Sequence, residues 1–230
     1  MKIGILQPGF LPWLGFFEQV YQCDAFVIYD DVQYDKHGWR NRNRIKAAQG
    51  PQWLTVPVHF SLKEPQECRY VKIDNTADWR RKHLVAIRQN YSNAPFFSRH
   101  YPLFEEGLSL AWDKLIDVDM FFLRGLAKSL GLQTRNFIFS STLKSTGDRI
   151  TRLLNICKEL GADTFYEGAA GRNYLDQSVF KAQGIDLIFQ DYPHPEYRQQ
   201  FGAFLPYLSV VDLLFNEGND SLSILTRKKL

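Results

Sequence analysis

The sequence predicts an α/β fold with an open, mainly parallel, Rossmann-like sheet. Helices are expected on both faces, with an irregular or β insertion after the first βαβ unit. Three observations carry this reading. Residues 2–6 (KIGIL) and 26–29 (FVIY) are short apolar runs on either side of a stretch with helical periodicity, which makes a parallel βαβ unit. Residues 33–50 then lose apolar periodicity and become polar. From residue 145 a second strand and helix alternation begins.

Gln-Pro-Gly at 7–9 closes the first strand. Trp13, Phe16, Phe17 and Val20 fall at i, i+3, i+4 and i+7, so residues 13–21 read as a helix. Asp30 and Asp31 end the second strand. In the insertion, residues 53–60 (WLTVPVHF) alternate and residues 70–73 read as another short strand. Residues 79–91 and 109–130 read as helices, the second ended by Gly131. Residues 137–140 are a strand. Ser145 followed by Asp148 is a capping-box-like start. Ile150, Leu153, Leu154, Cys157 and Leu160 then mark one apolar helix face up to Gly161. Residues 163–166 and 186–190 are strands around a short helix at Phe180. Residues 209–216 form a last helix with Ser209 as its cap, and the tail 226–230 is expected to fray.

Composition narrows the class. A chain of 230 residues, 45% hydrophobic and 23% charged, suits one α/β domain over residues 1–230. Twenty-eight basic against 25 acidic residues leave a net charge of +3, which disfavours a dedicated nucleic-acid binder. Cys23, Cys68 and Cys157 are widely spaced without a CxxC, which argues against a disulfide scaffold or structural zinc. The first apolar run is too short and Pro-broken for a signal peptide, and no run approaches the roughly 20 apolar residues of a membrane span. A cytoplasmic protein is expected.

The strongest chemical signal lies in residues 36–46, where Lys36, Arg40, Arg42, Arg44 and Lys46 stand without a carboxylate. In an extended loop Arg40, Arg42 and Arg44 share one face, with Asn41 and Asn43 between them. Guanidinium forks match phosphate oxygens in bidentate pairs, so this loop is a candidate diphosphate site. The competing reading is a solvated basic loop paired with Asp30, Asp31 and Asp35. Asp30 or Asp31, at a strand end, could serve as a general base or hold Mg²⁺ beside a phosphate. Capping and ion pairing are the alternatives. His37 could shuttle a proton, or be an inert loop histidine.

Further candidates surround these. Gln7 lies in the first βα loop and Gln33 follows the second strand. Trp13, Tyr34 and Trp39 could stack on a base or sugar ring. Lys144, Thr146 and Arg149 precede or begin a helix whose N-terminus would favour an anion, unless it is simply capped. Glu167 and Gly168 end a strand at a Gly/Ala-rich turn, with Arg172 and Tyr174 beside them. Asp117-Val-Asp119 has the form of a metal-binding DxD but lies in a helical pattern. Tyr192, His194 and Tyr197 read as a structural cluster.

Four blocks carry a family resemblance: KIGILQPGFLPWLGFFEQ (2–19), FVIYDDVQYDKHGWRNRNRI (26–45), STGDRITRLLNICKELGADTFYEGAAGRNYLD (145–176) and HPEYRQQFGAFLPYLSVVDLLFNEG (194–218). In this order they resemble the WbqC-like family over nearly the whole chain. The resemblance implies a place among proteins of O-antigen or other surface-polysaccharide synthesis, and with it sugar-nucleotide or sugar-amine chemistry. A more distant similarity is to HIGH-type nucleotidyltransferases. PWLGF stands where that superfamily carries its two histidines, Trp13 and Phe16 replacing them, and residues 145–150 resemble its Ser-Thr-x-x-Arg loop.

Together these readings lead to an expected transferase. It would bind a nucleotide-linked sugar, or an activated acyl or aminoacyl donor, through the Arg-rich loop. Asp30, Asp31 or His37 would act as base for an amine or hydroxyl. The alternatives are a non-catalytic nucleotide-binding or assembly protein, a degenerate nucleotidyltransferase-like protein, and RNA binding by the Arg-rich loop, whose affinity would fall steeply with salt.

Overall fold

The computed structural model describes residues 1–60, 65–132 and 136–227. The chain opens with β1 (Lys2–Leu6), α1 (Leu14–Gln22) and β2 (Ala25–Ile28), the parallel βαβ unit. An antiparallel hairpin follows, β3 (Arg42–Ala47) with β4 (Gly50–Thr55), and then three helices, α2 (Trp79–Tyr91), α3 (Phe97–Ser109) and α4 (Leu115–Ser129). The chain returns to the sheet in β5 (Asn136–Phe139). It continues through α5 (Arg149–Glu159), β6 (Thr164–Glu167), α6 (Gln177–Lys181) and β7 (Asp186–Phe189). Two helices close it, α7 (Val210–Glu217) and α8 (Ser221–Thr226).

The sheet has five parallel strands in the order β5-β2-β1-β6-β7, with the hairpin separate from it. The chain builds outward from β1 through β2 to β5, then crosses back and builds the other way through β6 and β7. The β1/β6 boundary is therefore the point where strand order reverses, and α/β folds gather ligands at the carboxyl ends of the strands there.

Strand alternation assigns the layers. Ile3, Ile5, Ala25, Val27, Phe165 and Leu187 pack on one face with Leu153, Leu154, Ile156 and Cys157 of α5 and Phe180 of α6. Phe26, Ile28 and Tyr166 face the opposite layer, a larger core with Phe16, Phe17 and Val20 of α1 and residues of α2, α3, α4 and α7. The apolar face predicted for α5 is the one it buries. Cys23, Cys68 and Cys157 are all buried.

Several expectations need correction. Residues 42–47 of the expected irregular stretch are a strand, because β4 supplies a partner ladder that local polarity does not reveal. Residues 70–73 make no strand: Cys68–Tyr70 is a 3₁₀ turn, and Lys72 and Ile73 form only isolated bridges with Lys114 and Val58. The helix expected over 109–130 begins at Leu115, and α3, with Pro102 inside it, precedes it. α5 is capped by Asp148, which accepts the N–H groups of Ile150 and Thr151, and Ser145 instead donates to Glu159. α8 occupies residues at which no helix was expected. Of the tail 226–230, residues 228–230 lie outside the described residues. Among the described residues no helix is long and apolar enough to cross a membrane.

Candidate functional site

The ends of β1, β2 and β6 open onto a cavity of about 560 Å³. Gln7 follows β1. Tyr29, Val32, Gln33 and Asp35 follow β2, Arg40 reaches in from the insertion, Gly147 to Leu153 bring the start of α5, and Glu167 and Tyr174 close the β6 side. The cavity therefore straddles the strand-order reversal.

The Arg-rich segment folds over the mouth of the βαβ unit at one point. Phe10 N–H donates to the carbonyl of Arg40 at 2.9 Å, and Arg40 Nη1 donates to the Gln7 carbonyl at 3.1 Å. Gly9 makes this approach feasible, since a Cβ there would stand 2.8 Å from the Trp39 carbonyl oxygen. Gln7 and Gln33 knit the loops: Gln7 Nε2 donates to the Gln33 carbonyl at 3.2 Å, and Gln33 Oε1 accepts Gln66 N–H at 3.0 Å. Burial lowers the pKa of Arg40, opposed by Cys68, Asp35, Asp119 and Tyr34. Its Nε is buried without a partner among the described residues.

Arg42 and Arg44 do not join Arg40. They lie on β3, with Arg42 over the ring of Trp53 at 4.9 Å and Arg44 over Trp39 at 5.1 Å. The three arginines thus do not share one face around one anion, because the strand begins between Arg40 and Arg42. Asn41 donates to the Val56 carbonyl at 2.8 Å and closes the hairpin base. His37 is exposed and lies outside the cavity lining.

Asp30 and Asp31 are tied down. Asp30 accepts Ser141 N–H (2.9 Å) and Ser141 Oγ–H (2.7 Å), and the one Ser140 hydroxyl hydrogen is shared between Asp30 (3.0 Å) and Asp31, which clamps the end of β2 to the end of β5. Asp31 pairs with Arg152 and accepts from Ser140. Burial works against the charge on Asp31, but the Ser140 hydroxyl and Arg152 outweigh it and hold its pKa below the usual carboxylate value. With these oxygens engaged, Asp30 and Asp31 do not fit a Mg²⁺ site. Among the described residues no group of three or more His, Cys, Asp or Glu could hold a metal.

The carboxylate that stands out is Glu167. It is 6% exposed at the end of β6 and accepts the Tyr174 hydroxyl at 3.1 Å. Burial pushes its pKa up to about 7, against the opposing pull of Tyr174 and Arg149. Gly171 leaves the space it needs, since a Cβ there would collide with Glu167 Cγ. Arg149 stacks 3.7 Å from the centre of the Tyr174 ring. Among the described residues neither Arg40 nor Arg149 has a carboxylate within ion-pair distance. The cavity therefore combines guanidinium groups that have no paired carboxylate among the described residues with a carboxyl group poised to exchange a proton near neutrality.

The remaining candidates lie outside the cavity lining. Trp13 packs among Tyr192, His194 and Tyr207. Phe16 is buried against Phe17 and Phe26, so neither residue of PWLGF offers a group to steady a phosphate. Tyr34 is buried against Phe60, and Trp39 is exposed beside Trp53. Lys144 and Thr146 are exposed, their backbone groups serving Glu159 and Asn155. The cap on α5 occupies N–H groups that an anion would have used. Gly168 begins a 3₁₀ turn, and Arg172 donates to the Gln190 carbonyl at 3.1 Å. Asp119 of the DxD is buried in α4 with its pKa raised by burial. Tyr29 and Arg152 line the cavity and were missed by the sequence reading. Arg152 stands one helical turn beyond Arg149, a spacing that could have pointed to it.

The profile of the WbqC-like protein family matches residues 7–224. An uncharacterized protein of Mycobacterium tuberculosis (strain ATCC 25618 / H37Rv), Rv1507c, is 37% identical over 229 residues, covering 96% of this chain and 95% of that protein. No solved structure matches.

Proposed function

This chain belongs to the WbqC-like protein family, and from that premise we propose that it is a transferase of surface-polysaccharide assembly that uses a phosphate-bearing donor. Arg40 and Arg149 bind the phosphate oxygens of a nucleotide-linked sugar, or of an activated acyl or aminoacyl donor. Glu167, in its ionised form, takes the proton from an acceptor amine or hydroxyl as that group attacks the donor carbon. The bond from that carbon to the phosphate-bearing leaving group breaks, and the arginines meet the charge that develops on it. Tyr174 orients the Glu167 carboxylate. The observation that carries this reading is a buried glutamate with a pKa of about 7 in the same 560 Å³ cavity as Arg40 and Arg149. A carboxyl group perturbed by burial beside guanidinium groups in a cleft is the arrangement expected of a functional site.

The test is a thermal-shift and turnover screen with UDP-glucose, UDP-N-acetylglucosamine, dTDP-linked amino sugars, acyl phosphates and inorganic pyrophosphate, on the parent and on Glu167→Gln. A ligand that stabilises both proteins, with turnover only in the parent, supports the proposal. Equal stabilisation without turnover in either makes the protein a binding or assembly factor. No stabilisation by any of these compounds overturns the donor assignment.

A further inference from the structure

The net charge of +3 conceals a polarised chain. Between positions 36 and 91 stand twelve Lys and Arg against four Asp and Glu, so the rest of the sequence is net acidic. The structure collects part of this excess on the hairpin and α2. Arg42 and Arg44 of β3 share a face with Trp53, since Arg44 is paired directly with Trp53 and Arg42 with Thr55 two residues along. Trp39 lies against Trp53 with ring centroids 5.1 Å apart and planes inclined at 33°. Arg42 covers Trp53, and Arg44 sits 5.1 and 5.6 Å from the two indoles. Both indoles remain 45% exposed. Trp53 also forms one wall of a groove of about 620 Å³ between β4 and α2, where exposed Arg81 and Lys82 stand. α2 itself contains no carboxylate, and Asp78 at its N-cap pairs with Arg81.

We propose that this face is a docking surface for a single-stranded nucleic acid, with bases stacking on Trp39 and Trp53 and the phosphate backbone following Arg42, Arg44, Arg81 and Lys82. Planar indoles beside guanidinium groups are the chemistry that single strands use, because every base has a π-face and every linkage a charge. An anionic membrane surface is the weaker match. These indoles lie against one another and carry stacked cations, so inserting them among acyl chains would strip water from the guanidiniums. The surface is distinct from the cavity that holds Glu167. The small net charge disfavours a chain given over wholly to nucleic acid, but attraction at one face depends on the local field of that patch.

The experiment is fluorescence anisotropy with a short labelled single-stranded RNA, using the parent, Trp53→Ala, Trp39→Ala, Trp53→Phe and the double variant Arg81→Glu/Lys82→Glu. The expected result is binding whose logarithm falls linearly with the logarithm of salt concentration. Each Trp→Ala variant weakens it by about 5-fold to 100-fold, while Trp53→Phe restores most of the affinity. The charge reversal flattens the salt dependence. The substituted residues are exposed, and matched circular-dichroism melts check that each variant keeps the fold. Equal affinity of parent and Trp→Ala proteins overturns the proposal. So does preference for duplex RNA, for an anionic polysaccharide or for phosphatidylserine vesicles over the single strand.

Discussion

Glu167 accepts the hydroxyl hydrogen of Tyr174 at 3.1 Å, and Arg149 stacks over the Tyr174 ring. Three residues from β6, the following turn and α5 thus form one unit at the cavity wall. The carboxylate is oriented by a phenol whose own position is held by a cation.

Turnover is expected to rise with pH along a limb near 7, the value to which burial pushes Glu167. Glu167→Gln should abolish that limb and lower turnover by about 10² to 10⁴. Tyr174→Phe removes a hydrogen bond that favours the ionised form, so the limb should move to higher pH. A pH–rate profile of the three proteins checks this.

The same raised pKa has a stability consequence. Between the ordinary glutamate value and about 7, the folded protein keeps a proton that the unfolded chain releases. The contribution is full below the unfolded value and is lost as pH rises through the folded value. Glu167→Gln should therefore be more stable than the parent well above neutrality, by up to about 3 kcal/mol. Urea denaturation across the pH range measures it. Asp212, also raised by burial to about 6, is present in both proteins and drops out of the comparison.

Arg149→Ala and Arg42→Ala should separate the cavity from the hairpin. Removing a charge-assisted contact to phosphate costs about 1.5–3 kcal/mol, so Arg149→Ala should weaken a phosphate-bearing donor by about 10-fold to 100-fold. Arg42, committed to Trp53 outside the cavity, should leave donor affinity unchanged. Calorimetric titration of both variants decides it.

Asp31→Asn should destabilise the fold by about 2 kcal/mol, because it leaves the mostly buried Arg152 without its counter-charge. In the parent the lowered pKa of Asp31 gives stability that is present above the usual carboxylate range and is lost as pH falls through the folded value. The variant should lack that acid-side loss, which guanidinium denaturation at several pH values would show.

Gly171→Ala places a methyl group against Glu167 Cγ and 3.1 Å from the Phe189 ring. Overpacking of this kind costs about 1–3 kcal/mol. The expected signature is a lower melting temperature together with a displaced pH limb, since the carboxylate itself must move.

The sequence alone determined the α/β class and the parallel sheet, because buried strands and amphipathic helices write their burial into local periodicity, whereas β3, α3 and α8 were not legible in it. Ile3 and Ile5, Phe17 and Val20, and Leu153, Leu154 and Cys157 pack on the faces their spacing requires. It also marked Gln7, Gln33, Arg40, Arg149, Glu167 and Tyr174, all of which line one cavity. Tertiary structure alone decided how they are used. Arg40, Arg42 and Arg44 look equivalent in one dimension, yet β4 pairs with the last two and turns them away from Arg40. Asp30 and Asp31 look like free carboxylates until β5 and α5 bring Ser140, Ser141 and Arg152 against them. Glu167 looks like an ordinary strand-end glutamate until burial at the cavity wall raises its pKa. Periodicity depends on neighbours along the chain, whereas ion pairing and desolvation depend on neighbours brought together by strand order, and strand order exists only once the chain has folded.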